Sequence, residues 1–289
     1  MSPAKIRVTK LAHVHYQHPD LEKAAAFLLD FGMIEERRTS DTIYFRGYDE
    51  QPYLYVAEQS KDGKRHFLGG YWVVDTWEDL EKAASLPNAS EIQVNAAPGG
   101  GRIVTAQDPH GNKIGFVYGQ ELRIRDIDTA KKSLEKTPHP IPNEARTKVR
   151  RGEFRRFEQG PSLVHKAGHY GFGTTPEGFE ELRSWYTTNL NLVPTDSIFN
   201  PETGKDESTF FHIDLGSEFT DHHSFFLGAD PKAHGTHVHH SSFEVNDFDT
   251  QLLGHYWLQS KGWTNCWGVG RHVLGSQIFD YWFGNPVRS

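Results

Sequence analysis

Residues 7–118 and 163–289 follow one script, and an internal repeat of this size restricts the fold more than any single motif in the chain. Each copy starts with a strand-like segment containing histidine, Leu11-Ala12-His13-Val14-His15-Tyr16 and Lys166-Ala167-Gly168-His169-Tyr170-Gly171-Phe172. A helix follows in both. Leu21, Ala24, Ala25 and Leu28 recur at helical spacing in the first copy, as do Phe179, Leu182, Tyr186 and Leu190 in the second. Thr175 suits the N-cap of that second helix, and Pro176 suits its first position, where the missing N–H has no partner to lose.

Short apolar runs come next, Thr42–Phe45 and Tyr53–Val56 against Phe210–Ile213 and Ser224–Leu227. Each copy then passes from a strand into a second helix start, Tyr71–Asp75 before Glu78-Asp79-Leu80 and Ser242–Asp247 before Gln251-Leu252-Leu253, and closes on a strand pair. Each copy therefore reads as a βαβββ unit used twice. The predicted class is α+β, with a curved, half-open sheet in each copy whose concave face receives every second side chain. The expected organisation is a first domain over 1–118, a linker over 119–162 and a second domain over 163–289.

Bulk properties narrow the function. A chain of 289 residues, 36% hydrophobic and 13% aromatic, can bury two ordinary cores. A net charge of -7 argues against a nucleic-acid partner, and the basic run from Arg146 to Arg156, beside Pro138-His139-Pro140-Ile141-Pro142, is read as solvated linker. No apolar run approaches bilayer length and no secretory h-region follows Met1, so a cytoplasmic protein without membrane contact is expected. Cys266 is the single cysteine, which excludes an internal disulfide and a thiolate-rich metal site. Any metal chemistry would use nitrogen and oxygen ligands.

Eleven of the 17 histidines fall between His165 and His272. Four segments carry the pattern: Gly168-His169-Tyr170, Asp221-His222-His223, His239-His240-Ser241, and Gly270-Arg271-His272 running on to Asp280-Tyr281. A lone histidine on a strand is ordinarily a hydrogen-bonded core residue. Here the order of the four segments resembles the catalytic domain of type I extradiol ring-cleaving dioxygenases, within the vicinal oxygen chelate (glyoxalase, bleomycin-resistance and dioxygenase) superfamily. The first copy resembles their non-catalytic N-terminal domain. The ending Gly275-Ser276-Gln277-Ile278-Phe279-Asp280-Tyr281-Trp282 is similar to the trihydroxytoluene-oxygenase-like subgroup.

The resemblance implies two tandem vicinal oxygen chelate domains, a catechol-like substrate, O2, Fe(II) ahead of Mn(II) as cofactor, and a homo-oligomer. His169 and His240 match the two histidine ligands. Two histidines and one carboxylate on one face of Fe(II) leave positions for a bidentate diol and dioxygen. His223 matches the acid/base histidine, a role suited to imidazole near neutral pH. His272 and Tyr281 match groups that donate hydrogen bonds to bound substrate or oxygen. His222 is read as part of a polar turn, His234, His237 and His239 as loop and strand-edge residues, and His255 as facing solvent or the domain interface.

The first copy acts as an internal control. His13 is the counterpart of His169, but Gly69 falls where His240 should be and Gly115 where the carboxylate ligand should be. Asp108-Pro109-His110-Gly111-Asn112 has the family's turn, and Asp108 aligns with Gly284. The same alignment places the second copy's carboxylate at position 291. Similarity stops after Phe283, in the manner of a truncation, a frameshift or an altered last exon. Glu244, Asp280 and Asp214 are the nearby carboxylates; the first two are predicted to be too far away or pointing outward. A chain with two neutral imidazoles alone is expected to be impaired. The alternatives are an inactive pseudoenzyme or aromatic-ligand-binding protein of the same fold, and glyoxalase-like isomerisation or thiol transfer.

Overall fold

A computed structural model describes residues 5–124 and 159–284. The basic run and the proline segment of the linker lie outside the described residues. The first copy runs β1 (Val8–His18), α1 (Leu21–Phe31), β2 (Ile34–Arg38), β3 (Thr42–Arg46) and β4 (Tyr55–Gln59), then β5 (His66–Val74), α2 (Trp77–Ala84), β6 (Gln93–Val94), β7 (Arg102–Gln107) and β8 (Lys113–Tyr118). The second runs β9 (Val164–Thr174), α3 (Pro176–Asn189), β10 (Leu192–Asn200), β11 (Lys205–Ile213) and β12 (Phe225–Ala229), then β13 (His237–Val245), α4 (Phe248–Ser260), β14 (Asn265–Arg271) and β15 (Ile278–Trp282). The α+β class is as the sequence predicts; the βαβββ unit occurs twice in the first copy, and in the second it is complete once and followed by a unit with three described strands.

Register carries the repeat down to single residues. In each copy the first strand pairs in parallel with the fourth, Val14 opposite Tyr55 and Tyr170 opposite Phe225. It also pairs antiparallel with the strand that opens the second unit, His13 opposite Tyr71 and His169 opposite Ser242. The first sheet has eight strands in the order β2-β3-β4-β1-β5-β8-β7-β6, and the second has five, β10-β11-β12-β9-β13. The β14–β15 hairpin stands as a separate pair. Thus β5 lies between β1 and a parallel β8, whereas β13 has β9 as its one neighbour among the described strands.

Helix ends follow ordinary capping chemistry. Thr175 accepts from the Gly178 N–H with Pro176 in the first turn, and Asp20 and Asp247 cap α1 and α4 in the same way. The outer strands β2 and β10 have charged or proline-containing sequences, Ile34-Glu35-Glu36-Arg37-Arg38 and Leu192-Val193-Pro194, as befits sheet edges. Among the described residues no helix is long and apolar enough to cross a membrane.

The two copies share one core. Tyr170 and Phe172 on β9 are buried, and Tyr170 packs 5.7 Å from both Phe67 and Trp72 of the first sheet, centroid to centroid. Asn191 fastens the join by bonding both backbone groups of Val8, and Asp30 accepts from the indoles of Trp257 and Trp263. Gly70 is needed where the copies meet, because a Cβ there would lie 2.1 Å from a Tyr170 ring carbon. Gly70→Ala should therefore destabilise the protein by about 1–3 kcal/mol through overpacking. Thermal melting checks this, and an unchanged midpoint would show that Tyr170 moves aside freely.

His18 adds a pH dependence. It is buried, with Nε2 2.9 Å from the Tyr55 hydroxyl, and burial pushes its pKa down to about 3, helped by Arg65 and His15. The unfolded chain takes up a proton near pH 6.5 and the folded chain resists it. His18 therefore contributes stability that is intact above about pH 6.5 and declines as the pH falls toward 3. Chemical denaturation across this range should show a decline that is shallower in His18→Gln.

Candidate active site

One cavity, between the second sheet and the β14–β15 hairpin, gathers all five residues singled out by sequence. His169 on β9 faces Ser242, and His240 on β13 faces Gly171, two positions along the same face. Gly171 has no side chain to intervene, and the Phe226 ring fills the space beside it. The two imidazoles meet edge to face, with Nε2 atoms 2.7 Å apart. The His223 ring lies 4.1 Å from that of His169, and the Tyr281 ring lies 5.7 Å from that of His240. His272 closes the group, its Nε2 3.5 Å from the Tyr281 hydroxyl. The five line one cavity of about 850 Å³.

Burial sets the protonation of this cluster. Withdrawal from water lowers the pKa of His169 well below its ordinary value, with His240 and His223 adding repulsion. His240 is lowered to about 3 by the same desolvation and by His239, and His223 to about 4 by desolvation, His222 and His272. Burial also lowers His272 and raises the Tyr281 hydroxyl. Near neutral pH the site is thus a set of neutral imidazoles beside a protonated phenol.

A strand irregularity places a further histidine. Val238 pairs with Phe172 and His240 with Gly171, so His239 is the extra residue of a β-bulge. Bulges re-aim side chains, and the Nδ1 atoms of His239 and His240 come within 2.7 Å. His240 therefore has its second nitrogen held, as metal-binding imidazoles commonly do. His239 is, as expected, an exposed edge-strand residue, and it also braces His240. His222 lies in a polar bend before β12, as expected, and its ring adds contacts of its own, with Nε2 2.8 Å from Asp196 and Nδ1 3.0 Å from His223 Nδ1. The available signal was the pair of adjacent histidine doublets, 222–223 and 239–240.

The donor set fits a divalent cation in part. The Nε2 atoms of two neutral imidazoles converge to 2.7 Å, so His169 and His240 would be the residues to hold such an ion. Among the described residues no group of three or more histidine, cysteine or carboxylate side chains is arranged around one point. The carboxylates weighed from sequence are engaged elsewhere. Glu244 pairs with Lys166, and Asp280 accepts from Trp282 Nε1 and contacts His255 at 3.0 Å. Asp214 receives the Gly216 N–H in an exposed turn. His255 is thereby tied to β15 rather than facing solvent.

The corresponding face of the first copy is filled with rings. His13 is buried and stacks 4.3 Å from Tyr71, with Tyr53 at 4.5 Å. A Cβ on Gly115 would lie 1.9 Å from a Tyr71 ring carbon. Asp108 is buried in its turn, accepting from the backbone of His110 and Asn112.

Residues 10–116 match the family model of the Glyoxalase/Bleomycin resistance protein/Dioxygenase superfamily. Over 276 residues the chain is 25% identical to Metapyrocatechase 2 of Cupriavidus necator, covering 95% of this chain and 77% of that protein. Among solved structures, an anaerobic complex of homoprotocatechuate 2,3-dioxygenase from Brevibacterium fuscum with 3,4-dihydroxyphenylacetate superposes with a TM-score of 0.72. It is 16% identical, covering 98% of this chain and 78% of the other. A Mn(II)-bound glyoxalase from Novosphingobium aromaticivorans gives a TM-score of 0.71 at 18% identity, covering 96% and 78%. At these identities the structural likenesses concern the fold. The family match falls on the copy whose concave face is filled, while the histidine cluster lies in the other.

Proposed function

We propose that the chain is an extradiol dioxygenase that cleaves a catechol-like ring with O2. The observation that carries this is the convergence of His169 and His240 Nε2 at 2.7 Å, with His223 and Tyr281 beside them in one cavity. Metapyrocatechase and the 2,3-dioxygenases among the similar proteins support the same substrate class. His169 and His240 would hold the metal, Fe(II) ahead of Mn(II). When bound, that ion supplies a Lewis acid for the diol and an electron path between diol and O2.

The protein's own groups handle protons and exclude water. Neutral His223, lining the cavity against His169, accepts a proton from a substrate hydroxyl and returns it to the ring-opened product. Tyr281 stays protonated through burial and donates a hydrogen bond, with His272 at its hydroxyl to orient it. Phe279, 4.3 Å from the His272 ring, and Phe243 on β13 both line the cavity and give an aromatic substrate apolar walls.

Ring cleavage also requires an anionic third ligand, and none is grouped with the two imidazoles among the described residues. That observation favours a second reading, an aromatic-ligand-binding protein of the same fold with little or no turnover. Metal content separates the two. Anaerobic reconstitution with Fe(II), followed by desalting and a catechol under air, should retain iron and give a yellow ring-fission product. Iron-free protein that still binds catechol would leave the binding role instead.

Single substitutions divide the roles. His240→Ala should abolish both iron retention and turnover. His223→Asn should retain iron and lower kcat about 10²–10⁴-fold, the range for loss of a proton-transferring side chain. Equal loss of iron in both variants would remove His223 from the acid/base role.

A further inference from the structure

The polar contacts behind His223 reach away from the cavity to the outer strand of the sheet. Asp196 on β10 places Oδ2 2.8 Å from His222 Nε2, and His222 Nδ1 lies 3.0 Å from His223 Nδ1. Thr195 donates its hydroxyl to the His222 carbonyl at 2.7 Å and lies at the same distance from His212 Nδ1. The His222 ring packs perpendicular to that of His223, and the Phe210 ring lies edge-on to His223 at 5.0 Å. His222 is thus held at both its backbone and its ring.

Hydrogen-bond chemistry gives this chain a direction. A carboxylate only accepts, so His222 donates from Nε2 to Asp196. In a neutral imidazole the other nitrogen then accepts, so His222 Nδ1 accepts the hydrogen bond donated by the His223 Nδ1–H. Neutral His223 is left with a bare Nε2, the atom required to receive a proton from a substrate hydroxyl. The opposite tautomer would put a hydrogen there and block that step.

We propose that His222 and Asp196 are positioning residues that fix His223 as its Nδ1–H tautomer, with Nε2 kept as the base. This rests on the ring-cleavage reading for its consequence, but the tautomer itself does not. Orienting carboxylates act this way behind catalytic histidines in general, and replacing one with its amide leaves the wrong tautomer in place. In Asp196→Asn the new side-chain amide donates to His222 Nε2. His222 then carries its proton on Nδ1 and donates to His223, whose own proton moves to Nε2.

The test is nitrogen NMR of the full chain labelled with 15N-histidine, the His223 signals being assigned by their loss in His223→Asn. The wild type should show a protonated Nδ1 and a bare Nε2 at His223, and Asp196→Asn should reverse them. His222→Phe, which removes the acceptor without an amide, should also release the Nδ1–H form. With Fe(II) and a catechol, Asp196→Asn should lower kcat about 10–100-fold with KM within about twofold, the size of effect seen for partners behind a reactive group. An Nε2–H form in the wild type, or one tautomer unchanged across all three proteins, overturns the proposal. A tautomer that reverses as described in a protein without turnover sustains it and removes only the ring-cleavage reading.

Discussion

Strand β9 is buried on both faces, and everything in the site follows from that. Alternate residues of a strand point opposite ways, so Tyr170 and Phe172 anchor the second sheet against the first while His169 is delivered to the concave face. A slip of one residue would turn two large aromatic rings into the cavity and the histidine into the core. Burying such side chains contributes about 1.5–3 kcal/mol each, so the register that places the imidazole is enforced by packing rather than by the site itself. Gly70 and Gly171 give room on either side, one for Tyr170 and one for Phe226.

The electrostatics grow from the same geometry. Histidines gather around one cavity, where burial withdraws His169, His223 and His240 from water and neighbouring protonated rings would repel one another. Neutral imidazoles are what remains, with the Nε2 atoms of His169 and His240 2.7 Å apart, an arrangement suited to a cation. The doublets at 222–223 and 239–240 then divide the work. His240 is braced by His239 through a bulge, and His223 by His222 through a line of contacts ending at Asp196.

Much of this was legible from sequence because it is periodic or capped. The repeat and the helix starts at Thr175 and Asp247 follow from spacing and capping chemistry, and the pairing of His169 with His240 follows from the family resemblance. The bulge was hidden, since nothing in Val238-His239-His240 shows that one residue is extra. Asp196 was hidden for a different reason. It lies 26 residues before His222, on an edge strand whose Pro194 obscures its strand character, and only sheet pairing brings the two together. The filled first copy was legible at Gly69 and Gly115, but the rings of Tyr53 and Tyr71 that occupy its concave face were not.

The two copies show one scaffold at two settings, packed with aromatic rings in the first and lined with imidazoles in the second. Whether the second setting holds a metal ion is decided most directly by diffraction from crystals soaked in Mn(II), with data collected at the manganese edge. An anomalous peak within bonding distance of both His169 and His240 Nε2 is the expected result. Crystals whose two rings stay paired with each other, with no peak between them at saturating Mn(II), would contradict the account.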